Sequence, residues 1–285
     1  MALPYARLFA RGFKIPVELM TVIDSAELGT QISLGAGRFF DTLVDENVRR
    51  GQAYLKRIAT TFTGVTVQCA VEKGRAADVI VDRGEADEGT LITMATHGRS
   101  GLHRWVLGSV AEKVLRAATN PLLLVRTTKE SKTEGDAELK SIVVPLDGSE
   151  LAESVLPAVA AMAKTLDLPI VLFRAFEIPY GIYAAAGGYY AINFDRYIAE
   201  EKAAVNSYLE KQTEALKRQG VENVAYVSKE GLSADQIISF ARSTPNNLLA
   251  MCSHGRSGVK RWVLGSVTET VVRYSGDPVL VIRGA

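Results

Sequence analysis

The sequence predicts an α/β fold built from two tandem domains, each holding a parallel β-sheet with helices on both faces. Two observations predict it. The segment HGRSGLHRWVLGSV, from His97, returns 157 residues later as HGRSGVKRWVLGSV, from His254, with only two positions changed. The flanks repeat as well, because an apolar run precedes each copy, and a helical pattern and a Pro-started apolar run follow it. This period is the size of a domain and too long for a solenoid repeat.

The second copy shows the full order of elements. Its first run, SIVVPLD at Ser141–Asp147, is apolar and β-branched, which is typical of a strand buried on both faces. Gly148 and Ser149 then supply a turn and a helix cap. Helices are predicted over Leu151–Lys164, Phe194–Gln219, Ser233–Arg242 and Ser266–Tyr274, and strands over Ile170–Phe176, Asn223–Gly231, Asn247–Ser253 and Pro278–Arg283. This alternation predicts a Rossmann-like domain with five parallel strands, whose ligands bind beyond the carboxyl ends of the strands.

The first copy has the same order except at its beginning. ALPYARLFA at Ala2–Ala10 matches VLPAVAAMA at Val155–Ala163, inside the first helix, so the counterpart of SIVVPLDGSELAES is absent. Strands are predicted over Val17–Asp24, Val65–Gly74 and Leu91–Thr96, with helices over Phe40–Thr61 and from Ala76. Because the first strand of a doubly wound sheet is normally central, its absence predicts a gap in the core. Three explanations stay open: a natural start upstream of Met1, a trimmed chain, or a strand supplied by another chain.

The polar, charged segment TTKESKTEGDAELK separates the two copies and is typical of a linker. The predicted organisation is therefore a first domain over residues 1–127, a linker over 128–140 and a second domain over 141–285.

Composition argues against several classes of partner. A net charge of +1 predicts neither a nucleic-acid nor a membrane partner, and no apolar run approaches the ~18 residues of a membrane span. Cys69 and Cys252 stand alone in hydrophobic runs, which predicts buried free thiols in a reducing compartment, and hence a cytoplasmic protein. The three histidines lack the spacing of metal ligands, so no metal site is predicted.

The repeated loop has the chemistry of a phosphate site. Gly255 follows a strand, where the missing side chain lets a ligand approach the backbone. Gly265 and Ser266 start a helix, whose first N–H groups and dipole favour an anion. Asp147, at the end of another strand, offers a carboxylate to ribose hydroxyls. Walker-type GxxxxGK[ST] and dinucleotide GxGxxG motifs are both absent, and no catalytic triad recurs, so no catalytic residue is predicted.

With SIVVPLDGSELAESVLP and Gly-x9-Gly-Ser, at Gly98 to Ser109 and Gly255 to Ser266, the chain resembles the universal stress protein family over nearly its whole length, as two tandem domains of the adenine nucleotide alpha hydrolase-like type. In one branch of that family the resemblance implies ATP, with or without Mg²⁺, at this loop. The implied contacts in the second domain are Pro145, Leu146, Asp147, Ala175, Met251, Gly255, Gly265, Ser266 and Val267. In the first domain they are Val22, Met94, Gly98, Gly108, Ser109 and Val110.

The chain departs from the family pattern in two places. The pattern has a further glycine where this chain has Ala95, a mild change, and Cys252, whose larger side chain would narrow the approach of the ligand. The first domain also lacks a counterpart of Asp147, which favours the second domain as the ATP site. The resemblance also implies that the last strands pair the two domains as a pseudo-dimer, with a homodimer beyond that.

Other segments receive structural interpretations. The arginines Arg99, Arg104, Arg256 and Arg261 are interpreted as a solvated basic face, Trp105 and Trp262 as packing residues, and His97 and His254 as structural. The Tyr-rich stretch 178–193 is interpreted either as a flap over the nucleotide or as an apolar contact for a partner.

Three functions follow. The first is an ATP-binding stress or signalling module, in which ATP is a conformational ligand that is hydrolysed slowly or not at all. The second is an interaction module without a nucleotide. The third is a slow ATP hydrolase or nucleotidyl transferase.

Overall fold

The computed structural model describes residues 2–24, 37–96, 107–126, 135–178, 194–253 and 264–284. The described residues up to Ala137 form one compact unit, and those from Glu138 form a second. Both units contain alternating helices and parallel strands, which confirms the predicted α/β class. Within the described ranges, no helix is long and apolar enough to cross a membrane.

The first unit carries two separate strand pairs. Its elements are α1 (Leu3–Phe13), β1 (Val17–Ile23), α2 (Gly37–Ala59), β2 (Val67–Lys73), α3 (Ala76–Glu85), β3 (Ile92–Ala95), α4 (Ser109–Ala117) and β4 (Leu122–Val125). β1 pairs in parallel with β2, and β3 pairs in parallel with β4. Among the described residues, β2 is the only strand neighbour of β1 and β4 the only one of β3. The predicted gap therefore lies between two strand pairs that do not join.

The second unit contains a complete five-stranded sheet. Its elements are β5 (Ser141–Pro145), α5 (Glu150–Glu153), α6 (Leu156–Leu166), β6 (Ile170–Phe176), α7 (Phe194–Arg218), β7 (Val224–Glu230), α8 (Ser233–Ser243), β8 (Asn247–Cys252), α9 (Ser266–Tyr274) and β9 (Val279–Ile282). The strand order is β9-β8-β5-β6-β7, and every pair is parallel. The chain runs outward from β5 to β7 and then crosses back to β8. The order therefore reverses between β5 and β8, where such sheets bind ligands.

The apolar runs that predicted buried strands form the core of the second unit. Ile142, Val143 and Val144 of β5 are fully buried, and all six residues of β8 are buried. In the first unit, Leu19, Leu55 and Phe62 form a smaller core at the junction of β1, α1 and α2. Burial on both faces is the reason that β5 reads as a continuous apolar run instead of an alternating one.

Two predictions were wrong in detail. The helix expected over Leu151–Lys164 is two helices, because Pro157 has no N–H to donate to the carbonyl of Glu153 and disfavours helical backbone before it. Cys69 is exposed, whereas Cys252 is buried as expected. Cys69 lies on β2, which has one strand neighbour in the described part of the chain, and an apolar run on such a strand does not imply burial.

Asp277, just before β9, should make stability depend on pH. Burial raises the pKa of its carboxyl from 3.8 to about 7, and the charge of Arg242 opposes this in part. Because the folded state holds the proton more tightly, this stabilisation is complete below pH 3.8 and is lost as pH rises through 7. We expect Asp277→Asn to remove this loss, so that the variant is about 1–2 kcal/mol more stable than the native chain at pH 8. The expected gain is smaller than the full pKa shift implies, because the site is only half-buried. Urea unfolding at pH 5 and pH 8 measures it, and an unchanged pH slope in the variant would contradict it.

Candidate functional site

The candidate site lies at the carboxyl ends of β5 and β8 in the second unit. The two strands are neighbours, with Val143 opposite Leu249, and each continues to the same edge of the sheet. Pro145 ends β5, Leu146 follows it, and Met251 lies near the end of β8. Leu146 and Met251 are buried, and Pro145 is half-buried, so these apolar side chains have limited exposure. They lie at the strand ends where strand order reverses, the place at which doubly wound sheets bind ligands.

Asp147 shapes the turn that follows β5. Its Oδ1 accepts hydrogen bonds from the Ser149 N–H at 2.9 Å and from the Ser149 hydroxyl at 2.6 Å. Ser149 in turn caps α5, since its Oγ accepts a bond from the Ala152 N–H at 3.1 Å. The carboxylate thus has a structural role in the turn. An ionised carboxylate has about four acceptor positions, so this role is compatible with a ligand contact.

Gly148 lets an arginine lie directly over this turn. Its φ is +87°, and a Cβ built on it would stand 2.9 Å from Nη1 of Arg174. Arg174 is on β6, one residue before Ala175, and its guanidinium carbon lies 4.7 Å from the ring centre of Tyr208. A side chain at position 148 would therefore displace the guanidinium as well as strain the backbone.

Tyr208, on α7, connects this arginine to an acid. Its hydroxyl donates to Oε1 of Glu153 at 2.8 Å. Burial, followed by this hydrogen bond, raises the pKa of the Tyr208 phenol above its usual value, so the ring stays protonated at neutral pH. Sequence reasoning missed Arg174, Tyr208 and Glu153. The available signal was a single charge inside the apolar run IVLFRAF.

The start of α9 in the second unit follows β8, and its first turn has a glycine at the N-cap. The Gly265 N–H donates to the Ser253 carbonyl at 2.8 Å, which fixes where α9 begins. The N-cap residue of α9 is Gly265, which has no side chain to cap the helix, and Ser266 is exposed at its first turn. The next residue, Val267, is half-buried, and the Thr268 hydroxyl bonds the Cys252 carbonyl at 2.9 Å, which anchors the turn to β8. Uncapped N–H groups at a helix start suit an anion.

The side chain of Cys252 faces protein atoms. Its Sγ accepts a hydrogen bond from the Ser154 hydroxyl at 3.7 Å, and a Cβ built on Gly284 would lie 3.2 Å from the same sulfur. Cys252 therefore packs between the α5–α6 junction and the segment after β9.

The first unit repeats the helix start of the candidate site, but its described residues contain no counterpart of the Asp147 turn. The Gly108 N–H donates to the Thr96 carbonyl at 2.8 Å, and α4 begins at Ser109 with this glycine as its N-cap. Val22, Met94 and Val110 are half-buried. In the described residues of this unit, no strand stands in the place of β5, so no carboxylate corresponds to Asp147.

Several predicted residues lie outside the described ranges: Gly98, Gly255, His97, His254, the four loop arginines, both tryptophans and residues 179–193. In the part of the chain that the structure describes, no group of three His, Cys, Asp or Glu side chains could hold a metal ion.

Comparisons with known proteins agree on one family. The sequence model of the universal stress protein family matches residues 2–126 and 138–283. A universal stress protein of Mycolicibacterium smegmatis is 23% identical over 279 residues, covering 94% of this chain and 87% of that protein. Universal stress protein MJ0577 of Methanocaldococcus jannaschii is 27% identical over 154 residues, 50% of this chain and 94% of that protein. The crystal structure of a universal stress protein from Archaeoglobus fulgidus matches with a TM-score of 0.70 at 18% identity, covering 99% of this chain and 92% of that one, which shows the fold.

Proposed function

Since the chain belongs to the universal stress protein family, we propose that its second unit binds ATP in the crevice between β5 and β8. One observation carries the proposal. The Asp147 turn and the start of α9, whose N-cap is a glycine, follow two neighbouring strands at the point where strand order reverses. The same edge thus offers a carboxylate for a sugar and open N–H groups for phosphates.

Each proposed contact has a role that its position suits. The N–H groups from Ser266 onward, with the Ser266 hydroxyl, take the phosphates, and Gly255 and Gly265 give the phosphates room to approach. Asp147 accepts from the ribose. The contacts proposed along the strand ends, for the base and sugar, are Pro145, Leu146, Ala175 and Met251. Arg174 adds a positive charge next to Asp147, at a distance that Gly148 allows.

We assign ATP the part of a conformational ligand in a stress-response or signalling module, with little or no hydrolysis. The titratable groups of the site support binding over catalysis. Tyr208 is held protonated and is a poor base. Asp277, whose pKa near 7 would suit proton transfer, precedes β9 and so lies at the opposite edge of the sheet.

The family resemblance carries further proposals. They are a cytoplasmic location, Mg²⁺ accompanying the nucleotide, weaker ATP binding in the first unit, pairing of the two domains through their last strands, and a homodimer. An interaction module without a nucleotide is the competing function, and binding measurements separate the two.

Replacing Asp147 by alanine should weaken ATP binding to the full chain about tenfold or more, because a charged acceptor worth about 1.5–3 kcal/mol is removed. Glu222→Ala is the matched control. It removes the same charge from an exposed residue next to the amino end of β7, at the far edge of the sheet. Calorimetric titration with Mg-ATP measures both. Equal ATP affinities of the native chain and Asp147→Ala would contradict a binding site in this crevice. No ATP binding by the native chain or either variant would favour the interaction module.

A further inference from the structure

Arg174 lies on the face of the second sheet that α7 covers. Phe173, the residue before it on β6, points to the other face, where its ring centre lies 5.1 Å from that of Phe240 on α8. Because successive side chains of a strand alternate between faces, Arg174 points toward α7, and its guanidinium carbon lies 4.7 Å from the ring centre of Tyr208. The arginine is therefore half-buried between a strand and a helix, near the carboxyl end of β6.

Contacts with two other segments fix the position of the Arg174 guanidinium. A Cβ built on Gly148 would lie 2.9, 3.0 and 3.1 Å from its two Nη atoms and its central carbon, so the group lies directly over the turn after β5. The ring of Tyr208 adds a cation–π contact, and the Tyr208 hydroxyl donates to Oε1 of Glu153 on α5 at 2.8 Å, which fixes that ring. A planar guanidinium suits this place, since it stacks on an aromatic ring while its N–H groups point outward in a fixed fork.

The turn beneath Arg174 is the one that carries Asp147. Gly148 directly follows Asp147, whose Oδ1 already accepts two hydrogen bonds from within the turn. Burial raises the pKa of the Tyr208 phenol most, while the charge of Arg174 lowers that pKa and the charge of Asp147 raises it further. Both charges therefore lie close to one phenol. A guanidinium beside a carboxylate restricts its orientation, because the N–H groups of the guanidinium are held in one plane.

We propose that Arg174 is a positioning residue that gives the ATP site its preference for ribose over deoxyribose, by holding the Asp147 carboxylate toward the sugar hydroxyls. Tyr208 supports this role because it holds the guanidinium over the turn. The inference rests on the proposed ATP site between β5 and β8. A site that aligns an acceptor with a hydroxyl rejects an analogue that lacks the hydroxyl, because the aligned acceptor then loses its partner.

The test compares ATP with 2′-deoxy-ATP and 3′-deoxy-ATP on the full chain, by calorimetric titration with Mg²⁺ present. The native chain should bind ATP about tenfold more tightly than at least one of the two analogues. Arg174→Met keeps a long side chain without the guanidinium, and this preference should fall to about threefold or less. Tyr208→Leu keeps the arginine but removes the ring against it, and the preference should fall about twofold or more.

Arg218→Met is the matched control variant. Arg218 is an exposed arginine at the end of α7, at the edge of the sheet away from the crevice, and its replacement should leave the preference for ATP unchanged. Urea unfolding shows that each variant is folded under the conditions of the titration. The ratio of affinities separates positioning from general stability, because a merely structural role would weaken the binding of all three nucleotides by the same factor.

Three results would overturn the inference while ATP binding, and with it the proposed function, remains. They are a native ratio of affinities in Arg174→Met, a native chain that binds ATP and both analogues equally, and a ratio that falls in Arg174→Met but stays native in Tyr208→Leu. In the last case the arginine would act through its charge alone and would need no fixed position. A native chain that binds no ATP would overturn this inference and the proposed function together.

Discussion

Gly148→Ala should lower the free energy of unfolding by about 2–3 kcal/mol and weaken ATP binding about tenfold or more. The first effect has two causes. A φ of +87° is costly for any residue with a side chain, and the new Cβ would meet the Arg174 guanidinium at 2.9 Å. Moving Arg174 changes the charge beside Asp147, which is the cause of the second effect. Urea unfolding and calorimetric titration with Mg-ATP measure the two quantities.

Gly220→Ala is the control variant, because it introduces similar backbone strain at a position away from the candidate site. Gly220 has nearly the same φ, +84°, but a Cβ there would meet no atom within 4 Å. It follows α7, at the edge of the sheet away from the crevice. We expect a loss of about 1 kcal/mol, from backbone strain alone, and native ATP affinity. If the two variants lost equal stability and both kept native affinity, the contact of Gly148 with Arg174 would have no energetic role.

Phe173→Ala should cost about 3–5 kcal/mol, while Met20→Ala, at the matching position of the first unit, should cost about 1 kcal/mol. Phe173 is fully buried on β6, next to the central strand β5, and its ring centre lies 5.1 Å from that of Phe240. Met20 is half-buried beside the open edge of β1, so its truncation leaves a site that is already in contact with water. Hydrogen exchange of the β6 amides in Phe173→Ala and of the β1 amides in Met20→Ala measures the loss of stability in each unit separately. A cost for Met20→Ala as large as that for Phe173→Ala would mean that the core around Met20 is already as complete as the core around Phe173.

Duplication made most of the fold predictable from sequence. Because the two copies of the repeated segment have matching flanks, a helix or strand predicted in one unit also predicts the corresponding element in the other. The boundaries of β6, over Ile170–Phe176, and of α9, over Ser266–Tyr274, agree with those expected. The absent first strand of the first unit was visible in the same comparison, since ALPYARLFA aligns inside a helix. These results depend on local pattern and on repetition, both of which a sequence contains.

The remainder depends on three-dimensional proximity. The exposure of Cys69 follows from the edge position of β2, and an apolar run carries no information on how many neighbours its strand has. Arg174, Tyr208 and Glu153 come from β6, α7 and α5, and only folding brings them together over the Gly148 turn. The hydrogen bonds of Asp147 to Ser149 show, in addition, that a residue chosen for its fit to ribose also organises the turn.

The stoichiometry of ATP on the full chain tests the central claim most directly. Native mass spectrometry of the chain with increasing Mg-ATP should show one nucleotide per chain bound first, and Asp147→Ala should lose that first nucleotide while Glu222→Ala retains it. A chain that stays free of nucleotide at saturating Mg-ATP, or whose first nucleotide is unaffected by Asp147→Ala, would contradict a binding site between β5 and β8.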